Sequence, residues 1–434
     1  MTLQFDAVVV GAGPAGASAA LVMARAGLRV AILERGDTAG SKNVTGGVLH
    51  TYWLARLLPD RWKEAPLERP IRRYSATFLG ETGAVSLDYQ EFPPEDGPAR
   101  AFSVLRPRFD DWLAQQAVEA GALLIPGTVV DDLLWEGPQV VGVRARRVEG
   151  EVRASVVLAA DGVNSIIARR AGLRRDWGQH QVGLGLKETL RLPAEVIEER
   201  FGIGPGQGLA MLFVGGLPGG LRGGGFLYTN RASLSLGVVL QLDSVAAGGA
   251  SSIEALEVFK THPAIRRMLR GSAPLEYSAH LVPEACAVTL PRFYAGGLMA
   301  VGDAAGLVLN TGLSVEGMHY ALASGLAAGE TAVEAIGRGD VGATGLAGYH
   351  DRLEKAGVLA NFRRFRRMPN LLANPRIHGV YPEAAAETME RWFTVDERPR
   401  LKLLGAARDA LRSKVSFRQM LGDGIQAWRG LLWP

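Results

Sequence analysis

The chain of 434 residues has one cysteine, Cys286, and only seven histidines. A single thiol excludes an internal disulfide framework and any four-cysteine iron–sulfur cluster held by this chain alone. Cys286 itself reads as a core residue rather than a redox thiol. The histidines are scattered, without HxxxH or HExxH spacing, so no metal centre is expected. No apolar run approaches the ~18 residues of a membrane span. The first hydrophobic stretch leads straight into a glycine turn, so a secretory leader is not expected either. Repeats and low-complexity tracts are missing as well. What is present, 47% hydrophobic and 21% charged residues, suits a globular chain long enough for two or three domains. Charge is unevenly spread. Residues 351–434 carry 16 Lys+Arg against 9 Asp+Glu and the remainder 32 against 35, so the net +4 hides a basic last fifth.

The first forty residues carry the strongest pattern. An apolar run from Phe5 closes on Val8-Val9-Val10, and Gly11-Ala12-Gly13-Pro14-Ala15-Gly16 follows at once. A small-residue helix (Ala17 to Ala26), Gly27, and a second apolar run (Leu28 to Leu33) ending in Glu34 complete a strand, turn, helix, strand and acid. That order is what a dinucleotide site needs. Gly11 permits the tight turn, Gly13 lets backbone approach a pyrophosphate, and Gly16 lets helix and strand pack. The helix N-terminus offers unpaired N–H groups and a positive dipole end to phosphates. Glu34 is placed to accept hydrogen bonds from a ribose. The loop Gly40 to Val48 leaves the sheet edge beside this turn, so its backbone can lie along the rest of a cofactor.

Further on, residues 53–75 read as helix then strand, and 75–90 alternate like strands of another sheet. Arg106 to Leu113 opens an amphipathic helix ending at Ala120-Gly121, and 139–152 reads as a hairpin. Val156 to Ala160 is a buried parallel strand ending in Asp161-Gly162, a second ligand-edge signal. Residues 182–285 look antiparallel and glycine-rich, with one helix near Ile253–Phe259. The α/β pattern returns at Gly297 to Val301, ends in Gly302-Asp303, and leads to a long helix from about Gly317 to Ile336. The segment 345–434 is mostly helical.

Taken together, GxGxxG with Glu34, Ala160-Asp161-Gly162 and Gly302-Asp303-Ala304-Ala305-Gly306 resemble FAD-dependent oxidoreductases of the glutathione-reductase-like kind, in the subgroup of aromatic hydroxylases and geranylgeranyl reductases. Lys42 to Gly47, Gly185-Leu186-Lys187-Glu188 and Gly224 to Asn230 sharpen the resemblance. They are similar to the short FixC-type subunit of the electron-transfer-flavoprotein:quinone oxidoreductases, over essentially the whole chain. The fold this implies is α/β: a Rossmann-like FAD-binding domain of the glutathione-reductase/aromatic-hydroxylase type, an inserted antiparallel-sheet domain for a quinone substrate, and a helical C-terminal region. The expected division assigns 1–75, 101–181 and 286–344 to the FAD-binding domain. It gives 76–100 and 182–285 to the substrate domain, and 345–434 to partner or membrane contact.

The resemblance also implies a cofactor, FAD, and its contacts. These are Gly11, Gly13, Pro14, Ala15, Gly16, Glu34 and Arg35 toward the adenosine and pyrophosphate. Lys42, Asn43 and Val44 lie along the loop, and Thr45, Gly46 and Gly47 line the isoalloxazine. Asp161-Gly162 lies near the cofactor, and Gly302-Asp303 contacts the ribityl chain. Arg106 would be a further contact, as the matching arginine is in the family, and the main chain of Val130 would meet the adenine. Gly317 and Met318 begin a helix whose N-terminus would stabilise the reduced ring. No nucleophile–base system is visible, and electron transfer requires none. Lys187 and Glu316 are the catalytic candidates. Against them stand a Lys187-Glu188 step with one solvated and one paired side chain, and a Glu316 that only caps the following helix.

The long members of the family end in a cysteine-rich ferredoxin domain, which this chain lacks. The resemblance therefore implies a separate ferredoxin-like iron–sulfur partner beside an electron-transfer flavoprotein of α and β subunits and a quinone, with no nucleic acid. The basic C-terminal region reads as a solvated face, as a docking surface for an acidic partner, or as a lipid contact built on Arg412, Lys414, Arg418, Trp428, Leu431, Leu432 and Trp433. Partner docking with peripheral contact on the inner face of the cell membrane is the expectation for an otherwise cytoplasmic protein. Two other functions stay open: an isoprenoid reductase or NAD(P)H-dependent hydroxylase, and a non-catalytic flavoprotein scaffold.

Overall fold

A computed structural model describes residues 3–42, 47–92, 99–146, 150–284 and 292–432. Asn43, Val44, Thr45, Gly46, Cys286 and Trp433 fall outside these residues.

Two sheets organise the chain. In the first, the strand Leu3–Val10 lies centrally, parallel to Gly150–Ala159 on one side and Val30–Leu33 on the other. Leu298–Ala300 and Leu123–Ile125 extend the parallel set outward. Strands covered on both faces must be apolar throughout, and Val8, Val9, Val30, Ile32, Val157 and Leu158 are all buried. The helix Pro14–Arg25 packs on this sheet against the long helix Met318–Gly337. Small residues let the two approach: Ala15, Ser18, Ala19 and Val22 face Gly325 and Gly329. This packing carries both helix N-termini to the same edge of the sheet.

The second sheet is mostly antiparallel. Its order runs Ala273–Pro283, Val182–Arg191, Ser233–Gln241, Gly223–Thr229, Gly208–Gly215, Leu67–Leu79, Ala101–Val104 and Val48–His50, with Ala84–Gln90 beside Leu67–Leu79. The chain enters this sheet at Val48, earlier than the alternation after residue 75 suggested. The reason is visible in Leu67–Leu79, a 13-residue strand whose first half pairs with Ala101–Val104 and whose second half pairs with Ala84–Gln90. Its parallel pairing with Gly208–Gly215 joins the two sequence-distant parts of the sheet. Among its described residues, the span 182–285 holds four helices rather than one: Ala194–Phe201, Leu242–Ala246, Ser252–Thr261 and Pro263–Leu269. Two of them start beside a proline, Pro193 and Pro263, where the fixed φ suits a helix start.

The C-terminal region is helical. Its helix Phe417–Ala427 is pinned by one buried acid, Asp423. Asp423 accepts from Arg376 Nε and Nη2 (both 2.6 Å), Asn374 Nδ2 (2.7 Å) and Tyr381 Oη (2.5 Å). The Arg376 guanidinium, helped by Tyr381 and Asn374, holds its carboxyl down at about 2.

Candidate active site

Between the two sheets lies a cavity of about 590 Å³, within the range of small-molecule sites. It runs from Glu34 and Arg35 at the end of Val30–Leu33, past the Gly11 turn, to the wall formed by the second sheet.

The near end is made largely of backbone. Gly11 has φ +104°, and a Cβ there would sit 2.5 Å from the carbonyl oxygen of Ala160, so the turn excludes any side chain. The helix starting at Pro14 has no side-chain cap, which leaves its first N–H groups for a ligand. The helix starting at Met318 likewise has no side-chain cap on Gly317, and both residues line the cavity. Two uncapped helix starts facing one cavity suit an anionic, multi-part ligand. Glu34 accepts from the N–H of Ala12 (2.8 Å) and of Gly36 (2.6 Å), which fixes its carboxylate at the cavity edge with lone pairs to spare. Lys42, Thr128, Val129 and Val130 complete this end.

In the middle, Arg106 is buried and forms a two-pronged pair with Asp110, each contact 2.7 Å. Burial opposes its charge, and Asp110 restores it strongly enough to hold the guanidinium above its ordinary range. Asp303 is pushed up by burial and pulled back by Arg106. Asp161 faces the cavity, but its carboxylate is engaged, accepting from Ser165 Oγ (2.5 Å) and the N–H of Ile166 (2.8 Å) at a helix start.

The far end belongs to side chains. Lys187 on Val182–Arg191 is 6% exposed and faces the cavity, whereas Glu188 points the other way and pairs with Lys260 at 3.0 Å. Burial pulls the Lys187 ammonium below its ordinary range, with Glu276 opposing. His280 stands opposite Gly185 on the neighbouring strand and is lowered to about 4 by burial and then by Arg106. Gly47 makes room for the Tyr228 ring, because a Cβ there would fall 2.0 Å from Tyr228 Cδ2. Glu316 lines the cavity and accepts from Ser314 Oγ at 2.7 Å.

Of the expected contacts, Gly11, Gly13, Pro14, Ala15, Glu34, Arg35, Lys42, Gly47, Arg106, Val130, Asp161, Gly162, Gly302, Asp303, Gly317 and Met318 line one cavity, together with Lys187 and Glu316. Gly16 sits behind it, close against Val9 and Gly11. Sequence reasoning missed His50, Tyr74, Tyr228 and His280 on the wall, and His319 behind it. The i,i+3 spacing of Glu316 and His319 was the one available hint. Their meeting with His50 depends on a strand nearly 270 residues away in the chain.

Comparison with known proteins agrees with this architecture. Residues 4–192 match an FAD binding domain, and 368–432 match the C-terminal domain of the ETF-QO/FixC family. A probable electron transfer flavoprotein-quinone oxidoreductase of Escherichia coli K12, YdiS, is 44% identical over 98% of both chains. Protein FixC of Azotobacter vinelandii is 37% identical over 99% of this chain and 100% of its own. The chain belongs to the ETF-QO/FixC family. It is an FAD-binding oxidoreductase with a role linked to electron-transfer flavoprotein. Among solved structures, a geranylgeranyl bacteriochlorophyll reductase-like protein of Thermoplasma acidophilum shares the fold at TM-score 0.73 and 20% identity, covering 98% of this chain and 99% of its own. The myxobacterial halogenase CndH does so at TM-score 0.61 and 21% identity, over 99% and 91%. No helix among the described residues is long and apolar enough to cross a membrane.

Proposed function

We propose that this family member accepts electrons from an electron-transfer flavoprotein and passes them to a membrane quinone, with a separate ferredoxin-like iron–sulfur chain alongside. The observation that carries the reading is the shape of the cavity. Past the Gly317 helix start it continues between apolar groups of the second sheet, Ala210, Leu212, Phe226 and Val239. Its rim bears exposed Leu87, Tyr89, Leu313 and Val315. A flat apolar substrate suits such walls. The relatives' names supply the donor and acceptor classes.

FAD supplies the two-electron redox chemistry when bound. The chain's own residues hold and tune it. The Gly11 turn and the helix start at Pro14 take the pyrophosphate, Glu34 the ribose, and Asp303 with Arg106 the ribityl region. Gly317 and Met318 present a positive dipole end to the ring, and Lys187 adds a buried positive charge that favours extra electrons nearby.

The C-terminal helices would bring this opening to the membrane. Phe417, Met420, Leu421, Ile425 and Trp428 form an exposed apolar face on Phe417–Ala427 and the turn after it. Arg412, Arg418 and Arg429 beside it form no ion pair among the described residues, whereas Lys414 is held by Glu387. Leu431 reaches Gly312 in the hairpin that carries Leu313, so the apolar face adjoins the cavity mouth. An apolar face flanked by cations suits an anionic lipid surface, and the same charges can steer an acidic iron–sulfur partner. The test is steady-state turnover with the flavoprotein, its donor and a short-chain quinone. Quinone reduction that requires the flavoprotein is expected. Turnover driven by NADPH alone would instead place the chain with the reductases or hydroxylases, and no turnover with any donor would leave a scaffold.

A further inference from the structure

Two imidazoles and a carboxylate meet on the cavity wall. His50 ends the strand Val48–His50, Glu316 ends the hairpin strand Val315–Glu316, and His319 lies in the first turn of Met318–Gly337. Their candidate ligand atoms all lie within 4.8 Å of one another. His319 Nε2 is 3.6 Å from Glu316 Oε2, and the two imidazoles meet edge to face with centroids 5.1 Å apart. His50 and Glu316 line the cavity while His319 sits half-buried behind them.

Neither imidazole makes a hydrogen bond to any described residue, and all three side chains are half-buried, so the ring nitrogens stay open to a ligand in the cavity. A metal ion is one ligand such a trio could take, but the trio stands on the wall of the cavity read above as the quinone site, where a proton acceptor would be at hand. A substrate oxygen with a transferable proton is the other.

We propose that His50, Glu316 and His319 form the proton-delivery site for the quinone. This rests on the quinone reading above. Reduction of a quinone to a quinol takes two electrons, which that reaction already delivers, and two protons, which it must find in an apolar cavity. A proton taken from water at the cavity mouth first converts the Glu316 carboxylate to its acid or the His50 imidazole to imidazolium, and that O–H or N–H bond then breaks as an O–H bond forms on the reduced quinone oxygen. Water at the cavity mouth reloads the cluster, which then supplies the second proton in the same way. His50 and Glu316 are the catalytic residues, and His319 is a positioning residue that relays between them. Burial, and then His50, push His319 down to about 3. At neutral pH its ring therefore offers one N–H and one lone pair together. Tyr74 on Leu67–Leu79 and Tyr320 on the same helix also feel the Glu316 charge. Burial first, and then Glu91 and Glu316 for Tyr74 and Glu316 for Tyr320, push both up to about 12, so neither competes as an acid.

The test compares two acceptors on the flavin-loaded chain: a short-chain quinone, which needs protons, and ferricenium, a one-electron acceptor that needs none. Glu316→Gln and His319→Phe should each lower quinone turnover about a hundredfold and flatten its pH profile, while ferricenium turnover stays within about twofold and the bound-flavin spectrum persists. An equal fall with both acceptors, or no fall with either, overturns the proposal. Histidine-selective ¹⁵N NMR adds a readout without turnover. The His50 and His319 signals should move when a non-reducible quinone analogue binds, and unmoved signals would overturn the assignment. One equivalent of zinc retained through dialysis and lost in His319→Phe would make this a metal site and overturn it too. Native enzyme that reduces ferricenium but no quinone would instead fail the quinone reading, and the proposal with it.

Discussion

The two ends of the cavity are built by opposite means. At the Glu34 end, one contiguous stretch supplies a glycine turn, an uncapped helix start and a strand-terminal acid, so that backbone groups are presented to the cavity. At the far end, Lys187, Tyr228, His280, His50 and Glu316 arrive on five separate strands, and the contacting atoms are side chains. A backbone site is set by local geometry and recognises what all dinucleotides share. A side-chain site is set by strand register and can be tuned to one substrate.

The largest expected effect lies at the backbone end. Gly11→Val should abolish cofactor retention, because even a Cβ meets the Ala160 carbonyl at 2.5 Å; flavin absorbance per chain after gel filtration reads it. Full retention would mean that the far end holds the cofactor and would break the comparison. Next comes the hinge between the ends. Arg106→Met breaks the two-pronged ion pair with fully buried Asp110 and should cost about 3–5 kcal/mol in urea unfolding.

Lys187→Met should do the reverse of Gly11→Val: flavin stays and reactivity changes. Loss of a buried positive charge should lower the flavin midpoint potential, by ~30 mV for each ~1.4 kcal/mol of lost stabilisation. An unchanged potential in a spectroelectrochemical titration would remove Lys187 from the site. Acid sharpens the contrast further. His280 and His319 are held at about 4 and about 3, below the ordinary histidine value. The unfolded chain therefore binds protons that the folded one refuses, and stability falls as pH drops from about 6.5 toward 4. His280→Gln should flatten that slope in thermal melts.

The smallest effect belongs to the C-terminal helix. Asp423, held at about 2, stabilises fully above the ordinary aspartate range, and that contribution fades as pH falls from about 4 toward 2. Asp423→Asn should loosen Phe417–Ala427 at neutral pH, read by faster hydrogen exchange there with flavin content unchanged.

The same contrast explains what the sequence made legible. The Gly11 turn, Glu34, Asp161-Gly162, Gly302-Asp303 and the helix after Gly317 were readable because each function is encoded within a few neighbouring residues. The wall was not. His280 reaches the cavity only because Gly185 pairs with it across two strands, and Tyr228 only because Gly47 leaves space for its ring. No local pattern announces either contact. Lys187 shows the boundary between the two cases. Its neighbour Glu188 pairs on the outer face as a strand alternation suggests, yet Lys187 itself is buried against the cavity rather than solvated. The long bent strand Leu67–Leu79 was misjudged for a related reason, since its two halves pair with different partners.

The most direct test of the central claim is an anaerobic titration of the flavin spectrum of the purified chain. NADH and NADPH are added first, then the electron-transfer flavoprotein with its donor, and last a short-chain quinone. The account predicts no bleaching by the nicotinamides, bleaching through the flavoprotein, and full recovery of the spectrum with quinone. Rapid bleaching by NADPH alone, or a reduced spectrum that quinone leaves unchanged, would contradict it.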